Sequence, residues 1–244
     1  MTRERVIPLG GIAAASFLAW LWLVAMARDM DTMAAMMQVA PRAWSPDEAA
    51  AMLVMWWVMM VAMMLPSATM MILTIARVSR RRGDRATPVL FASGYLIAWG
   101  GFSIFATGLQ FALETLALLG PVSMAATAPA GGVLLVLAGI YQFTPLKHAC
   151  LRHCRSPLSF VLNRWRDGRT GAVAMGTEHG AYCLGCCWVL MLLLFVFGVM
   201  NLLWIAALTI AVLVEKAVPG GPLLARIAGA GMIAAGAPMI AGLA

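Results

Sequence analysis

Every cysteine and every histidine of this chain lies between Tyr141 and Cys187. The cysteines form two groups, Cys150 with Cys154 and Cys183 with Cys186 and Cys187. On a helix, residues three and four apart share a face, so each group presents its thiols to one side. Two short thiol groups are a ligand set for zinc or an iron–sulfur cluster, and thiolates are also natural ligands of Cu(I). The same sulfurs could exchange disulfides through Cys183-Leu184-Gly185-Cys186. Cysteine also packs as a small apolar residue. His179 follows Glu178 and precedes Cys183 by four residues, which makes it a candidate ligand. His148 and His153 sit among Lys147, Arg152 and Arg155 and read as solvated residues. Those cations would favour the metal-binding thiolate form of a nearby cysteine.

A second soft-ligand pattern precedes the first. Met52, Met55, Met59 and Met63 advance by three, four and four residues and fall on one helical face. Met30, Met33, Met36 and Met37 lie just before them. Thioethers suit Cu(I), so a path from an outer methionine patch to the inner cysteines is one reading. Methionine also fills irregular cores and packs on aromatic rings such as Trp56 and Trp57, which is the other.

The elements that hold these residues belong to a membrane. The chain is 63% hydrophobic and 11% charged, and its mean hydropathy is +0.90. Soluble domains are nearer half apolar and a quarter charged. The pattern predicts an all-α, polytopic integral membrane bundle over residues 1–244, a single transmembrane domain. A β-barrel would need short alternating strands, and none is written here. The net charge of +7 resides in loops, where it sets orientation, and does not indicate nucleic acid.

Seven spans are expected, with six as the alternative: about 7–27, 47–76, 89–112, 131–146, 181–200, 202–214 and 223–243. The first lacks a small-residue cleavage site and reads as a membrane helix, not a signal peptide. Ser45-Pro46-Asp47-Glu48 is a helix start. Pro66 should kink the second span, with Ser67, Thr69 or a neighbouring helix satisfying the freed carbonyl. Gly94, Gly100, Gly101 and Gly108 would let a neighbour approach the third. Residues 147–170 read as the longest hydrophilic loop. The span after it is set to begin near Ala181, because Glu178 and His179 are costly deep in lipid. Lysine and arginine concentrate near the N-terminus and in 77–88, 147–170 and 215–226, so those segments are expected in the cytoplasm. Seven spans would place the C-terminus outside and six inside. The cysteines then lie at the cytoplasmic ends of the fourth and fifth spans, where structural disulfides are disfavoured.

Three runs carry a resemblance. They are W-x-x-M-x-x-A-M-M-x-P at Trp56–Pro66, G-x-Y-Q-x-x-x-L-K-x-x-C-L-x-x-C at Gly139–Cys154, and H-G-x-x-C-x-G-C-C-W at His179–Trp188, with Gly198, Met200, Trp204 and Glu215 beyond. Over about 50–216 the chain resembles a bacterial family of unknown function described as predicted metal-binding integral membrane proteins. The resemblance implies an inner-membrane protein with a metal site at Cys150, Cys154, Cys183, Cys186 and Cys187.

The expected function is binding of a soft transition metal, Cu(I) ahead of zinc or an iron–sulfur cluster. The metal would be captured near Met33, Met36 and Met37, passed along Met52, Met55, Met59 and Met63, and held by the cysteines for delivery to a metalloenzyme or a membrane-complex partner. The reverse direction fits equally well. The alternatives are a membrane thiol–disulfide oxidoreductase and a structural subunit stapled by a zinc-like site. The chain has no nucleotide-binding motif for pumping and no Ser-His-acid set or paired carboxylates for hydrolysis. Oligomeric state is not written in the sequence.

Overall fold

The computed structural model describes residues 3–34, 44–120 and 125–242, with side chains from residue 7 and excepting 30–34. The described residues are almost wholly helical: α1 Arg3–Ala34, α2 Pro46–Met64, α3 Thr69–Arg81, α4 Thr87–Thr115, α5 Ala128–Tyr141, α6 Pro145–Arg155, α7 Pro157–Arg164, α8 Gly168–Leu192, α9 Leu194–Phe197, α10 Leu202–Ala217 and α11 Gly221–Ile240. Five stretches are long and apolar enough to cross a membrane, namely Ile7–Asp29, Pro46–Arg81, Thr87–Thr115, Gly168–Phe197 and Gly221–Ile240. The α5–α6 pair, bent by 65°, would be a sixth. The chain is a multi-pass membrane protein. α10, at 16 residues, is about 24 Å long, short of a hydrocarbon core of about 30 Å.

Local chemistry sets the helix boundaries. Ser45 caps α2 in a reciprocal capping box with Glu48, and Pro46 occupies the first turn. Pro66 interrupts the span as anticipated: a 3₁₀ turn over Pro66–Ala68 separates α2 from α3. That turn frees the Met64 carbonyl, which accepts from Ser67 Oγ at 2.8 Å and from Tyr95 Oη at 3.0 Å. Thr69 Oγ1 closes the same break by donating to the Pro66 carbonyl.

Three expectations are corrected. Residues 147–170 are not a loop, because α6 and α7 occupy most of them, each opened by a proline at its first turn. The fourth span ends at Tyr141, and the cysteines Cys150 and Cys154 ride on the separate α6. α8 begins at Gly168, thirteen residues before Ala181, and carries Glu178 and His179 within it. The cost of Glu178 is offset by Arg164 and Arg166, both at 3.2 Å. His179 is enclosed by the rings of Phe91, Tyr95 and Phe160.

α8 is the central element, and its main partner is α4. Their backbones meet because both lack side chains at the crossing. A Cβ at Gly94 would stand 2.1 Å from the Val173 carbonyl, and one at Gly176 would stand 2.0 Å from that of Phe91. Gly100 is spaced more loosely, and Gly101 and Gly108 face nothing within 4 Å. α5 and α11 form a second close pair through Gly132, Gly139, Gly229 and Gly236.

Candidate metal centre

The site is assembled from five helices. α8 supplies Cys183, Cys186 and Cys187, all buried, whose sulfurs lie within 4.8 Å of one another. They sit in the middle of the helix and not at its opening: Cys183 is the fifteenth residue after Gly168. α6 crosses α8 and brings Cys154 Sγ to 3.9 Å from Cys186 Sγ. Cys150 packs over Gly185, where a Cβ would stand only 2.5 Å from its Sγ. All five cysteines are free, with Cys150 and Cys154 half-buried. The two groups separated in sequence therefore converge.

The end of α2, just before the break at Pro66, supplies a sixth sulfur. Met64, the last residue of α2, places its Sδ 4.0 Å from Cys187 Sγ. The proposed stripe is placed otherwise. Met55, Met59 and Met63 are fully buried in the core. Met52 is half-buried, and its Sδ accepts from Gln110 Nε2 at 3.7 Å. Met64 lies one residue beyond Met63, and its sulfur approaches Cys187. Met30 and Met33 lie in α1 with side chains outside the described residues, and Met36 and Met37 lie wholly outside them.

α10 contributes charge. Lys216 is held between Cys183 Sγ at 2.9 Å and Ser67 Oγ at 3.0 Å. Tyr95 Oη lies 3.0 Å from the same sulfur. Next to Lys216, Glu215 forms a buried ion pair with Lys147 at 2.7 Å. Lys147, expected among the loop cations, is fully buried in α6. Glu215 is thus engaged by Lys147, which leaves the sulfur cluster as the group of opposite polarity facing Lys216. Lysine, tyrosine and Met64 were not identified as site residues from the sequence. The available signal was Glu215-Lys216 at the end of an apolar helix, since ionisable residues in such positions are functional by default.

His179 lies one turn before Cys183. Its ring is buried, stacked near-parallel on Tyr95 with centroids 5.8 Å apart. Nδ1 has no hydrogen-bond partner among the described residues, and the ring is not part of the three-thiol group. The solvated readings of the other two histidines fit: His153 is exposed and stacked on Tyr182, and His148 is half-buried beside Arg226.

The donor set suits a soft cation. Sulfur ligands at about 2.3 Å from one ion are at most about 4.6 Å apart, close to the spacings here. The α8 thiols are buried, and Cys186 and Cys187 direct theirs to the Cys183 carbonyl. A membrane-embedded bundle closed on buried thiols defines a membrane protein with a cysteine cluster able to hold a metal. Residues 53–239 match the PpoB2 family, described as copper chaperones, and the chain belongs to that family. Neither a curated protein nor a solved structure matches it.

Proposed function

We propose that this copper-chaperone-family protein binds Cu(I) on Cys183, Cys186, Cys187 and Cys154, with Met64 as a thioether neighbour, and passes it to a metalloenzyme. The observation that carries this reading is the convergence of two cysteine groups, 32 residues apart, to 3.9 Å between Cys154 and Cys186. Thiolates and thioethers select Cu(I) over hard cations. Copper is cargo here, so the site must also release it. Burial falls from the α8 trio to Cys154 and Cys150, which gives a ligand order from the interior to the surface of α6. Met52, Met55, Met59 and Met63 extend the order along α2 on the other side, and His179 is a reserve ligand one turn from Cys183. In this scheme Lys216 is a counter-charge. Several thiolates around one univalent ion carry net negative charge, which an ammonium beside Cys183 offsets.

The distribution of lysine and arginine supports a bacterial inner-membrane protein with its basic segments on the cytoplasmic side. The α6 surface would then face the cytoplasm with the N-terminus.

Metal analysis of the purified protein tests the proposal, with Cys150→Ser and Cys186→Ser alongside. Wild type should carry copper and Cys186→Ser should lose it. Cys150→Ser should keep the bound ion but slow its transfer to an acceptor chelator. Metal-free wild type, with both variants equally stable, would reject the proposal. A reversible disulfide trapped in cells would instead support the oxidoreductase.

A further inference from the structure

The elbow between α5 and α6 carries a second site that copper handling does not use. α5 stops at Tyr141, and α6 leaves it at 65°. The first turns of α11 lie against this elbow, with Gly229 of α11 packed on Gln142. Between α6 and α11 is an open cleft of about 650 Å³, lined by His148, Leu151, Arg152, Arg155, Ser156 and Arg226 with prolines at its rim. No acidic side chain lines it. Arg155 is fixed by backbone carbonyls, those of Glu215 at 2.6 Å and Pro219 at 3.4 Å. Arg226 donates to His148 Nε2 at 3.3 Å. Among the described residues, none of these three arginines is in an ion pair, whereas Arg82, Arg164 and Arg166 at the same basic end are paired with acids.

Three guanidiniums without a carboxylate make a site for a phosphate oxyanion, a group that arginine N–H donors bind through charge-assisted hydrogen bonds. Its level in the fold narrows the source. α11 is a membrane-length helix that begins at Gly221, so Arg226 lies in its second turn. That places the cleft at the end of the spans, where headgroups lie. The residues flanking the lining ones are apolar and exposed: Phe143 and Leu146 on one side, Leu223 and Ile227 on the other. A free phosphate has no use for them, but acyl chains do.

We infer that this cleft binds the phosphate headgroup of an anionic phospholipid, with its chains along Phe143, Leu146, Leu223 and Ile227. Basic pockets between membrane helices are a recurrent means of holding such headgroups. The lipid would brace α6, the helix that bears Cys150 and Cys154, against α11.

The test is native mass spectrometry of the full chain released from micelles containing equal phosphatidylglycerol and phosphatidylcholine. Wild type should retain phosphatidylglycerol preferentially. Arg152→Gln with Arg226→Gln should lower that preference roughly thirtyfold, the effect of two near-surface arginines. Arg81→Gln with Arg85→Gln, at the same basic end but outside the cleft, should leave it unchanged. Both pairs are exposed, and helical content by circular dichroism verifies folding. Equal retention of the two lipids by wild type overturns the inference, as does an equal loss in both double variants. Displacement of phosphatidylglycerol by millimolar inorganic phosphate alone would assign the cleft to a free anion and overturn the lipid assignment.

Discussion

At the residue scale, the site rests on a few atoms whose separations are short enough to cooperate. Lys216 Nζ is 2.9 Å from Cys183 Sγ, a contact between a half-buried ammonium and a fully buried sulfur. A hydrogen bond to a charged group is worth about 1.5–3 kcal/mol, which corresponds to roughly ten- to a hundredfold in affinity. Lys216→Met is therefore expected to weaken Cu(I) retention by that factor in competition with a chromogenic Cu(I) chelator, while Lys216→Arg retains most of it. Equal retention by all three proteins would show that the charge has no part in holding copper. Met64→Leu and Met52→Leu separate the two roles of methionine. The first should lower copper affinity, since Met64 meets Cys187 at 4.0 Å. The second should leave affinity unchanged and affect only the rate of loading. An unaltered affinity in Met64→Leu would place the ion entirely on cysteine sulfur.

At the element scale, helices are held in register by two devices. One is the glycine crossing of α4 and α8. Gly176→Ala would put a Cβ 2.0 Å from the Phe91 carbonyl. Both elements are backbone, so the helices must separate, at a cost of about 1–3 kcal/mol. Separation moves Tyr95 away from Cys183, so thermal stability and copper stoichiometry should fall together. A stability loss with full copper binding would show that the α4 contact does not shape the site. The other device is the Lys147–Glu215 pair, which ties the helix bearing Cys150 and Cys154 to the helix bearing Lys216. Removing one partner of a buried pair leaves an uncompensated charge and costs about 3–5 kcal/mol. Lys147→Met should therefore destabilise strongly, and Lys147→Met with Glu215→Leu should recover much of the loss. Additive losses in a thermal-melt double-mutant cycle would argue against coupling.

At the scale of the whole molecule, the bundle surrounds α8 with the sulfur cluster at its middle, and leaves α1 and α11 largely facing outward. Ile7, Phe17 and Leu18 of α1 and Leu223 and Ile227 of α11 are exposed, the pattern of lipid-facing helices. Cysteine-substitution labelling of an otherwise cysteine-free chain fixes the orientation. Reporters at Gly83 and Ser156 should react from the same side of the membrane, and that side should be cytoplasmic. Labelling of the two from opposite sides would separate α6 from the arginine-rich turn after α3 and undo the proposed topology.

Much of this was legible in sequence because membranes impose simple rules. Long apolar runs, the capping box at Ser45, the break at Pro66 and the concentration of cysteines all follow from local chemistry that operates wherever the segment sits. Residues 147–170 misled because their charges suggest solvent. Lys147 is instead buried, and prolines at 145 and 157 start helices. Sequence starts α8 too late because it shows the cost of Glu178 without Arg164 and Arg166, partners that only a folded α7–α8 junction brings within 3.2 Å. Composition and spacing alone determined that this chain crosses membranes as helices and carries soft ligands in two clusters. Tertiary structure decided which sulfurs meet, that Met64 at the end of α2 reaches Cys187, and that Lys216 faces Cys183. Helical periodicity specifies a face but not its neighbour. Neighbours are chosen by close backbone crossings and buried charge pairs, which link residues far apart in the chain.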